Sequence, residues 1–162
     1  KNYLKKGINQ MFDQMNLNDF QFEIIDVSVT GTPDMHITQN GISFTRKLVE
    51  DMGYPQYVQP MVDHHNKVFA LKVCKAESDR AIRFSKPKSE QKNSITTSNI
   101  AIRYMLRGIM GSSWKDENRY HITGKWFSEA KTMVFNLNAA KELPPFDIHR
   151  RKQNNSRDNL PQ

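Results

Sequence analysis

The sequence has little of what holds small secreted proteins or membrane proteins together. Cys74 is the only cysteine among 162 residues, so no internal disulfide can form, which favours a reducing compartment. No apolar run approaches the roughly 18 residues that a membrane helix needs, and no secretory signal pattern opens the chain. We therefore expect a cytoplasmic protein with no membrane partner, built as one domain or as two small packed halves.

The motifs of common enzyme classes are also missing. There is no Gly-rich phosphate loop, no Gly-x-Ser-x-Gly and no paired-carboxylate pattern. Asp63-His64-His65 permits a metal site, but adjacent histidines in an extended segment point to opposite faces, so a surface turn is favoured. Cys74 with a histidine would make a nucleophile pair, yet a quiet, partly buried thiol is favoured. The sequence thus predicts no enzyme, no catalytic residue, no metal, no cofactor and no small-molecule substrate.

Positive charge is what the chain does have. Its formal net charge is +7. A positive surface favours nucleic acid, anionic lipid or an acidic protein as partner, although modestly basic soluble proteins are common.

The order of polar and apolar stretches predicts five segments. Residues 1–19 form a helical arm, 20–85 a first α+β unit, 86–94 a polar linker, 95–143 a second α+β unit and 144–162 a basic flexible tail. In the arm, apolar residues recur at helical spacing, which is typical of a dimerisation helix or of a helix that caps its own domain. They are Leu4, Ile8, Met11, Phe12 and Met15.

The first unit centres on residues 42–73. The pattern predicts strands at 20–29, 35–39 and 42–44, with a tight turn at Asn40-Gly41. A helix capped by Ser43 or Thr45 follows, with Leu48, Val49 and Met52 as its buried stripe, and it ends at Gly53. Paired strands at 57–62 and 67–73 flank a turn at 63–66, and residues 81–84 add a further strand.

The second unit repeats this order more loosely. A helix capped by Thr96, Thr97 or Ser98 runs to Met110, and Arg103 and Arg107 lie on one exposed face of it. Its expected buried stripe is Ile100, Ala101, Tyr104, Met105 and Ile109. Strands at 119–123 and 132–137 pair as a hairpin across a loop around Trp126-Phe127, and residues 138–143 form a last helical turn. The fold class expected is α+β, with duplicated β-α-β-β units in a compact pseudo-two-fold β-barrel or sheet with short helices.

Strand, short helix ending in glycine, then two strands resembles the swapped-hairpin family of the AbrB, SpoVT and MraZ proteins. The matching residues are Ile42-Ser43-Phe44, Lys47-Leu48 through Met52-Gly53, and the hairpin from Tyr57 to Val73. This resemblance implies an intertwined barrel that grips DNA with basic side chains. A saddle like that of TATA-binding-like domains fits the same pattern. The chain also looks like small proteins of Gram-positive mobile elements.

These features predict a set of nucleic-acid contacts, spread over helices, hairpin flanks, linker and tail, that would give affinity without sequence choice. The candidate residues are Arg46, Lys47, Lys72, Lys75, Arg80, Arg83, Arg103, Arg107, Arg150, Arg151 and Lys152, with Lys86, Lys88 and Lys92 in the linker. Trp114, Trp126 and Phe127 are candidates for stacking on unpaired bases, or for ordinary packing.

Two functional hypotheses follow. The first is a DNA-binding protein, a transcription regulator or accessory factor of a mobile element, that docks on duplex DNA through Lys and Arg contacts to phosphates. The alternative is a protein–protein interaction module with no enzymatic activity, which dimerises or binds an acidic partner.

Overall fold

The structure is a computed structural model that describes residues 14–22, 24 and 29–147. Its strands form two antiparallel five-stranded sheets. Sheet A has the order β10 (Lys141–Leu143), β7 (Arg119–Thr123), β1 (Asp34–Ile37), β2 (Ile42–Phe44) and β6 (Ile95–Thr97). Sheet B has the order β5 (Ile82–Arg83), β3 (Tyr57–Asp63), β4 (Val68–Cys74), β9 (Thr132–Asn136) and β8 (Lys125–Phe127). The α+β class is confirmed, and within the described residues the strands form open sheets and no closed barrel.

Ten short strands and two helices make up the part of the chain that the structure describes. The strands are β1 (Asp34–Ile37), β2 (Ile42–Phe44), β3 (Tyr57–Asp63), β4 (Val68–Cys74), β5 (Ile82–Arg83), β6 (Ile95–Thr97), β7 (Arg119–Thr123), β8 (Lys125–Phe127), β9 (Thr132–Asn136) and β10 (Lys141–Leu143). The helices are α1 (Arg46–Asp51) and α2 (Ile100–Met110), and single 3-10 turns lie at Leu17–Asp19, Gly111–Ser113 and Leu137–Ala139.

The first unit is close to its prediction from residue 34 onward. The Thr45 hydroxyl accepts the N–H of Leu48 and caps α1, whose Leu48 and Val49 are buried. Gly53 follows α1 with a φ of 76°, the left-handed geometry that ends many helices. β3 and β4 pair over seven residues, and Asp63 accepts the Asn66 N–H at 2.9 Å in the turn between them.

The strand predicted at 20–29 is wrong for the residues that the structure describes there. Residues 20–22, 24 and 29 carry no strand, and a 3-10 turn precedes them. Phe22 and Ile24 are 74% and 99% exposed, so alternation in this stretch has no neighbouring strand or core to pack on. The rest of the stretch, like most of the predicted arm and tail, lies outside the described residues.

The second unit departs from its prediction in four places. Residues 95–97 form β6 on the edge of sheet A rather than a helix cap, and Asn99 caps α2 through its side chain. β7 and β9 are not a hairpin, because β7 pairs with β1 and β10 whereas β9 pairs with β4 and β8. The loop around Trp126-Phe127 is the strand β8, and residues 141–143 are a strand rather than a helical turn.

The buried face of α2 also differs from its prediction. Leu106 and Met110 are buried, and Ile102 and Ile109 pack against the core. The predicted stripe residues Ile100, Tyr104 and Met105 are 59%, 68% and 46% exposed, and Ala101 is exposed as well. Both sides of the helix carry large apolar residues, so periodicity alone selects neither of them.

One core joins the two predicted units. It lies between the inner faces of the two sheets and is closed by both helices. Its fully buried members include Met35, Ile37, Ile42, Leu48, Phe69, Leu71, Leu106, Tyr120, Ile122, Met133, Phe135 and Leu137. The predicted linker packs on this body, since Gln91 is buried, accepts the Lys86 N–H and donates to the Asn93 carbonyl.

Gly124 lies where the chain crosses from sheet A to sheet B. Its N–H donates to the Pro33 carbonyl at 2.7 Å. A Cβ atom at this position would lie 2.6 Å from the Met133 sulfur and 2.9 Å from a ring carbon of Phe135. Both of those side chains are fully buried, so they cannot swing away without repacking the core.

We therefore expect Gly124→Ala to lower the free energy of unfolding by about 1–3 kcal/mol, the usual cost of overpacking a core. Gly108→Ala is the control, because a Cβ there meets open space on α2 and should stabilise the helix by about 0.5–1 kcal/mol. Urea unfolding of the two variants beside the parent protein measures both effects. Equal stability of the Gly124 variant and the parent would contradict the close contact.

Candidate nucleic-acid interface

The cations predicted from the sequence do not form one cluster. Arg46 and Lys47 begin α1, Lys75 and Arg80 lie in the turn after β4, and Arg103 and Arg107 lie on α2. Lys72 and Arg83 project from the outer face of sheet B, as described below. Arg150, Arg151 and Lys152 lie outside the described residues.

Of the two cations at the start of α1, Lys47 is paired with carboxylates of its own helix and Arg46 is half-buried. Lys47 Nζ lies 2.8 Å from an Asp51 oxygen and 3.4 Å from a Glu50 oxygen. The hydrogen bond with Asp51 raises the pKa of Lys47. The Nε atom of Arg46 is buried without a hydrogen-bond partner among the described residues. Net charge at this end of α1 is therefore small, which makes it a poor phosphate site.

The arginines of α2 are half-buried rather than on an exposed face. Arg107 donates to the carbonyls of Lys115 (3.1 Å) and Asn118 (3.4 Å). Arg103 donates to the Gln39 carbonyl. These bonds fix α2 to the loops beside it, and the prediction that both arginines stand on one exposed face is wrong, since both are half-buried.

The outer face of sheet B is where cations do come together. Lys72 on β4, Lys125 on β8 and Arg83 on β5 are all exposed there. Residues directly opposite each other on paired strands, and residues two apart on one strand, share a face of the sheet. Lys72 is opposite Gln59 and Thr132, Lys125 is opposite Val134, and Arg83 is opposite Tyr57, so the three cations lie on one side. We call this the basic face; its members are Arg83, Tyr57, Gln59, Met61, Asp63, Val68, Ala70, Lys72, Cys74, Thr132, Val134, Asn136, Lys125 and Phe127.

Charge on the basic face is one-sided. Asp63, at the end of β3, is the one carboxylate among the described strand residues of this face. Hydrogen bonds from Asn66 lower the pKa of Asp63, so this carboxylate stays ionised and held in its turn. The three cations are spread across the width of the sheet, away from that corner. The centre of the face is therefore positive.

Of the three aromatic candidates, only Phe127 is available on a surface. Its ring is 43% exposed on the basic face and lies 5.1 Å from the Lys125 Nζ. Trp126, which precedes Phe127 on β8, points to the core side. Trp114 is buried against Tyr120, with ring centroids 4.4 Å apart. Lys125 was missed by the sequence analysis because β8 was interpreted as a loop; the alternation Lys125-Trp126-Phe127 is the signal that identifies it.

Sheet A has a different outer face. His36 and His121 are directly opposite on β1 and β7, and their ring centroids lie 3.7 Å apart. Burial lowers the pKa of His36, and burial and the neighbouring His36 lower that of His121. Arg119 lowers both pKa values further, Asp34 opposes the effect in both, and Lys141 on the adjacent β10 lowers the pKa of His121. Both histidines therefore take up a proton less readily than an exposed histidine does.

The two remaining sequence candidates are the turn at residues 63–66 and the thiol of Cys74. Asp63 through Asn66 form a surface turn, as predicted. Among residues 14–22, 24 and 29–147, no three His, Cys, Asp or Glu side chains are grouped so that they could hold a metal ion. Cys74 is a half-buried free thiol at the end of β4.

The histidine pair predicts acid sensitivity. A pKa below the ordinary 6.5 means that the unfolded chain binds the proton more readily, so stability falls as pH drops through 6.5 and levels off below the folded pKa values. We expect the free energy of unfolding to fall between about pH 7.5 and pH 5.5, and the double variant His36→Gln/His121→Gln to lose most of that fall. Denaturant unfolding across this range measures both slopes, and parallel slopes would contradict the assignment.

No helix in the described part of the chain is long and apolar enough to cross a lipid bilayer. Comparison of the chain with protein-family models, with curated proteins and with solved structures gives no match. The functional proposal that follows therefore depends on the geometry and charge of the basic face.

Proposed function

We propose that the protein binds duplex DNA through the basic face of sheet B. The observation that carries the proposal is that Arg83, Lys72 and Lys125 are exposed on three strands of one face, whose described strand residues include a single carboxylate, Asp63. Lysine and arginine contacts to phosphates release condensed counterions and give affinity that does not depend on base sequence. The proposal therefore concerns affinity and register on the duplex, not base selection.

The spacing of these cations suits a duplex. Arg83 and Lys125 lie on the two edge strands of sheet B, with Lys72 on the central strand. Strands about 4.8 Å apart put the edge strands roughly 19 Å apart. That width exceeds the roughly 12 Å of the major groove, so the cations reach phosphates on both of its sides.

The proposal keeps the expected duplication of the scaffold, on the basis of how corresponding strands pair. The strands before the two helices, β2 and β6, pair antiparallel, and so do β4 and β9. Antiparallel pairing of corresponding strands is what a pseudo-two-fold axis requires, which supports a duplicated origin related to the swapped-hairpin family. A regulator or accessory factor of a mobile element is the role that fits such a DNA-binding body.

The first test is a triple variant, Arg83→Gln/Lys72→Gln/Lys125→Gln. We expect at least about tenfold weaker binding to a generic labelled duplex at low salt, and a logarithmic salt slope smaller by about 2–3, since each lost phosphate contact removes close to 0.9. Fluorescence anisotropy across a salt series measures both quantities.

The matched control is Lys92→Gln/Lys115→Gln/Lys141→Gln, which removes the same charge from exposed positions outside the basic face. It should retain most of the affinity and the parent slope. Equal losses in the two triple variants would sink the proposal, because net charge rather than the basic face would then explain binding. Tighter binding to a single strand than to the duplex would instead assign the face, through Phe127, to unpaired bases.

A second candidate function is self-association through α2. Ile100, Tyr104 and Met105 are large, exposed and on one side of the helix, which is unusual for a surface without a partner. This observation favours the interaction-module hypothesis independently of charge.

If α2 mediates self-association, Ile100→Ser/Tyr104→Ser should lower the mass of the protein in solution from dimer to monomer, because the apolar contact area is lost. Sedimentation velocity of the parent and the variant at several concentrations gives the result. The serines replace exposed side chains, so circular dichroism should be unchanged. A monomeric parent at all concentrations would remove this candidate.

A further inference from the structure

An apolar cavity of about 270 Å³ lies where α2 crosses the end of sheet B. Its walls come from β3, β4 and α2, and include Pro60, Val62, Phe69, Ala101, Met105 and Leu106. This volume would hold about nine waters at roughly 30 Å³ each. Water beside such walls finds few hydrogen-bond partners, so replacing it with an apolar group is favourable.

Arg80 is the one charged residue among the described residues that line this cavity. Its side chain is exposed, with Asp79 at 3.9 Å as a weak ion-pair neighbour. The backbone of Arg80 has a φ of 54°, a conformation that costs energy for a residue other than glycine.

The turn that carries Arg80 is tied to sheet B. The Gln59 side-chain amide donates to the Asp79 carbonyl at 2.6 Å, and the Lys75 N–H donates to the Ser78 hydroxyl at 3.2 Å. These bonds hold the turn beside β3, with Arg80 among the residues that line the cavity. The surrounding hydrogen bonds therefore hold Arg80 beside the apolar cavity in a backbone conformation that arginine does not favour.

We propose that this cavity binds a small amphipathic carboxylate, with the apolar chain inside and the carboxylate on Arg80. The planar guanidinium suits a carboxylate because its N–H groups match the two oxygens in one plane. The apolar walls suit an unbranched hydrocarbon chain. The inference stands on the cavity and Arg80 alone, and it holds whether or not the basic face binds DNA.

Octanoate is the probe, with octanol as the uncharged analogue and acetate as the analogue without a chain. We expect octanoate to bind the full chain, to bind more tightly than octanol and to raise the midpoint of thermal unfolding, since it binds only the native state. Acetate should do neither. Isothermal titration calorimetry and thermal unfolding provide the two readouts.

Three variants tie binding to the cavity. Arg80→Gln should weaken octanoate about fivefold, the scale of an exposed ion pair, and leave octanol unchanged. Lys75→Gln, which removes an exposed cation from the same turn, should leave both unchanged. Ala101→Phe, which places a ring in the cavity from an exposed helix position, should abolish both.

Several outcomes would overturn the proposal. Octanoate that does not bind, or that binds Arg80→Gln and Ala101→Phe as it binds the parent, excludes the site. A dimeric parent that becomes monomeric on Ala101→Phe would show that a second copy fills the cavity instead. If Ala101→Phe lowers the thermal midpoint in the absence of ligand, the substitution has destabilised the protein and its loss of binding is not used. The octanoate affinities of Arg80→Gln and Lys75→Gln then decide the proposal, and equal affinities would exclude it.

Discussion

An aromatic contact between the two sheets determines where every surface described above can lie. Phe44 on β2 of sheet A lies 6.3 Å from Phe135 on β9 of sheet B, measured between ring centroids, and Phe135 stacks on Phe69 of β4 at 5.9 Å. Phe84 contacts Phe44 edge-on from the end of β5. Aromatic pairs of this kind add to the apolar area that they bury. Because this layer takes one face of each sheet, the period-2 alternation sends the polar residues to the two outer faces.

Sequence reasoning succeeded where the signal was local. The Thr45 cap, the left-handed Gly53 and the turn at Asp63 each depend on neighbours within a few residues, and all three are present. It failed where partners are distant in the chain. Nothing within 119–136 indicates that β7 joins β1 in sheet A while β9 joins β4 in sheet B. The hairpin was expected because the second unit repeats the order of the first, and Gly124 was not recognised as the crossing point.

The residues of the candidate site likewise fall into those that the sequence could identify and those that it could not. Lys72 and Arg83 could be found because the segments that form β4 and β5 were predicted as strands. Lys125 could not be found while its strand was interpreted as a loop. Arg103 and Arg107 were placed outside because α2 is apolar on both sides, and only tertiary packing selects Leu106 over Tyr104. The sequence shows which residues are charged. Whether a charged side chain is free to bind a partner depends on the carbonyls and carboxylates near it in the fold, as the hydrogen bonds of Arg107 illustrate.

The sheets end in unusually short strands. Among the strands that the structure describes, β5 has two residues, and β6, β8 and β10 have three each. An edge this short offers an incoming chain only two or three unpaired N–H and C=O groups, too few to template a cross-β ladder. The four short edge strands therefore resist edge-to-edge pairing, even though apolar side chains of α2 lie in water. β5 pairs with only Tyr57 and Val58 of the seven-residue β3, so residues 59–63 form a longer stretch of strand edge that the described strands leave unpaired. Pro60 in that stretch has no N–H to donate, which limits pairing with an incoming chain there as well.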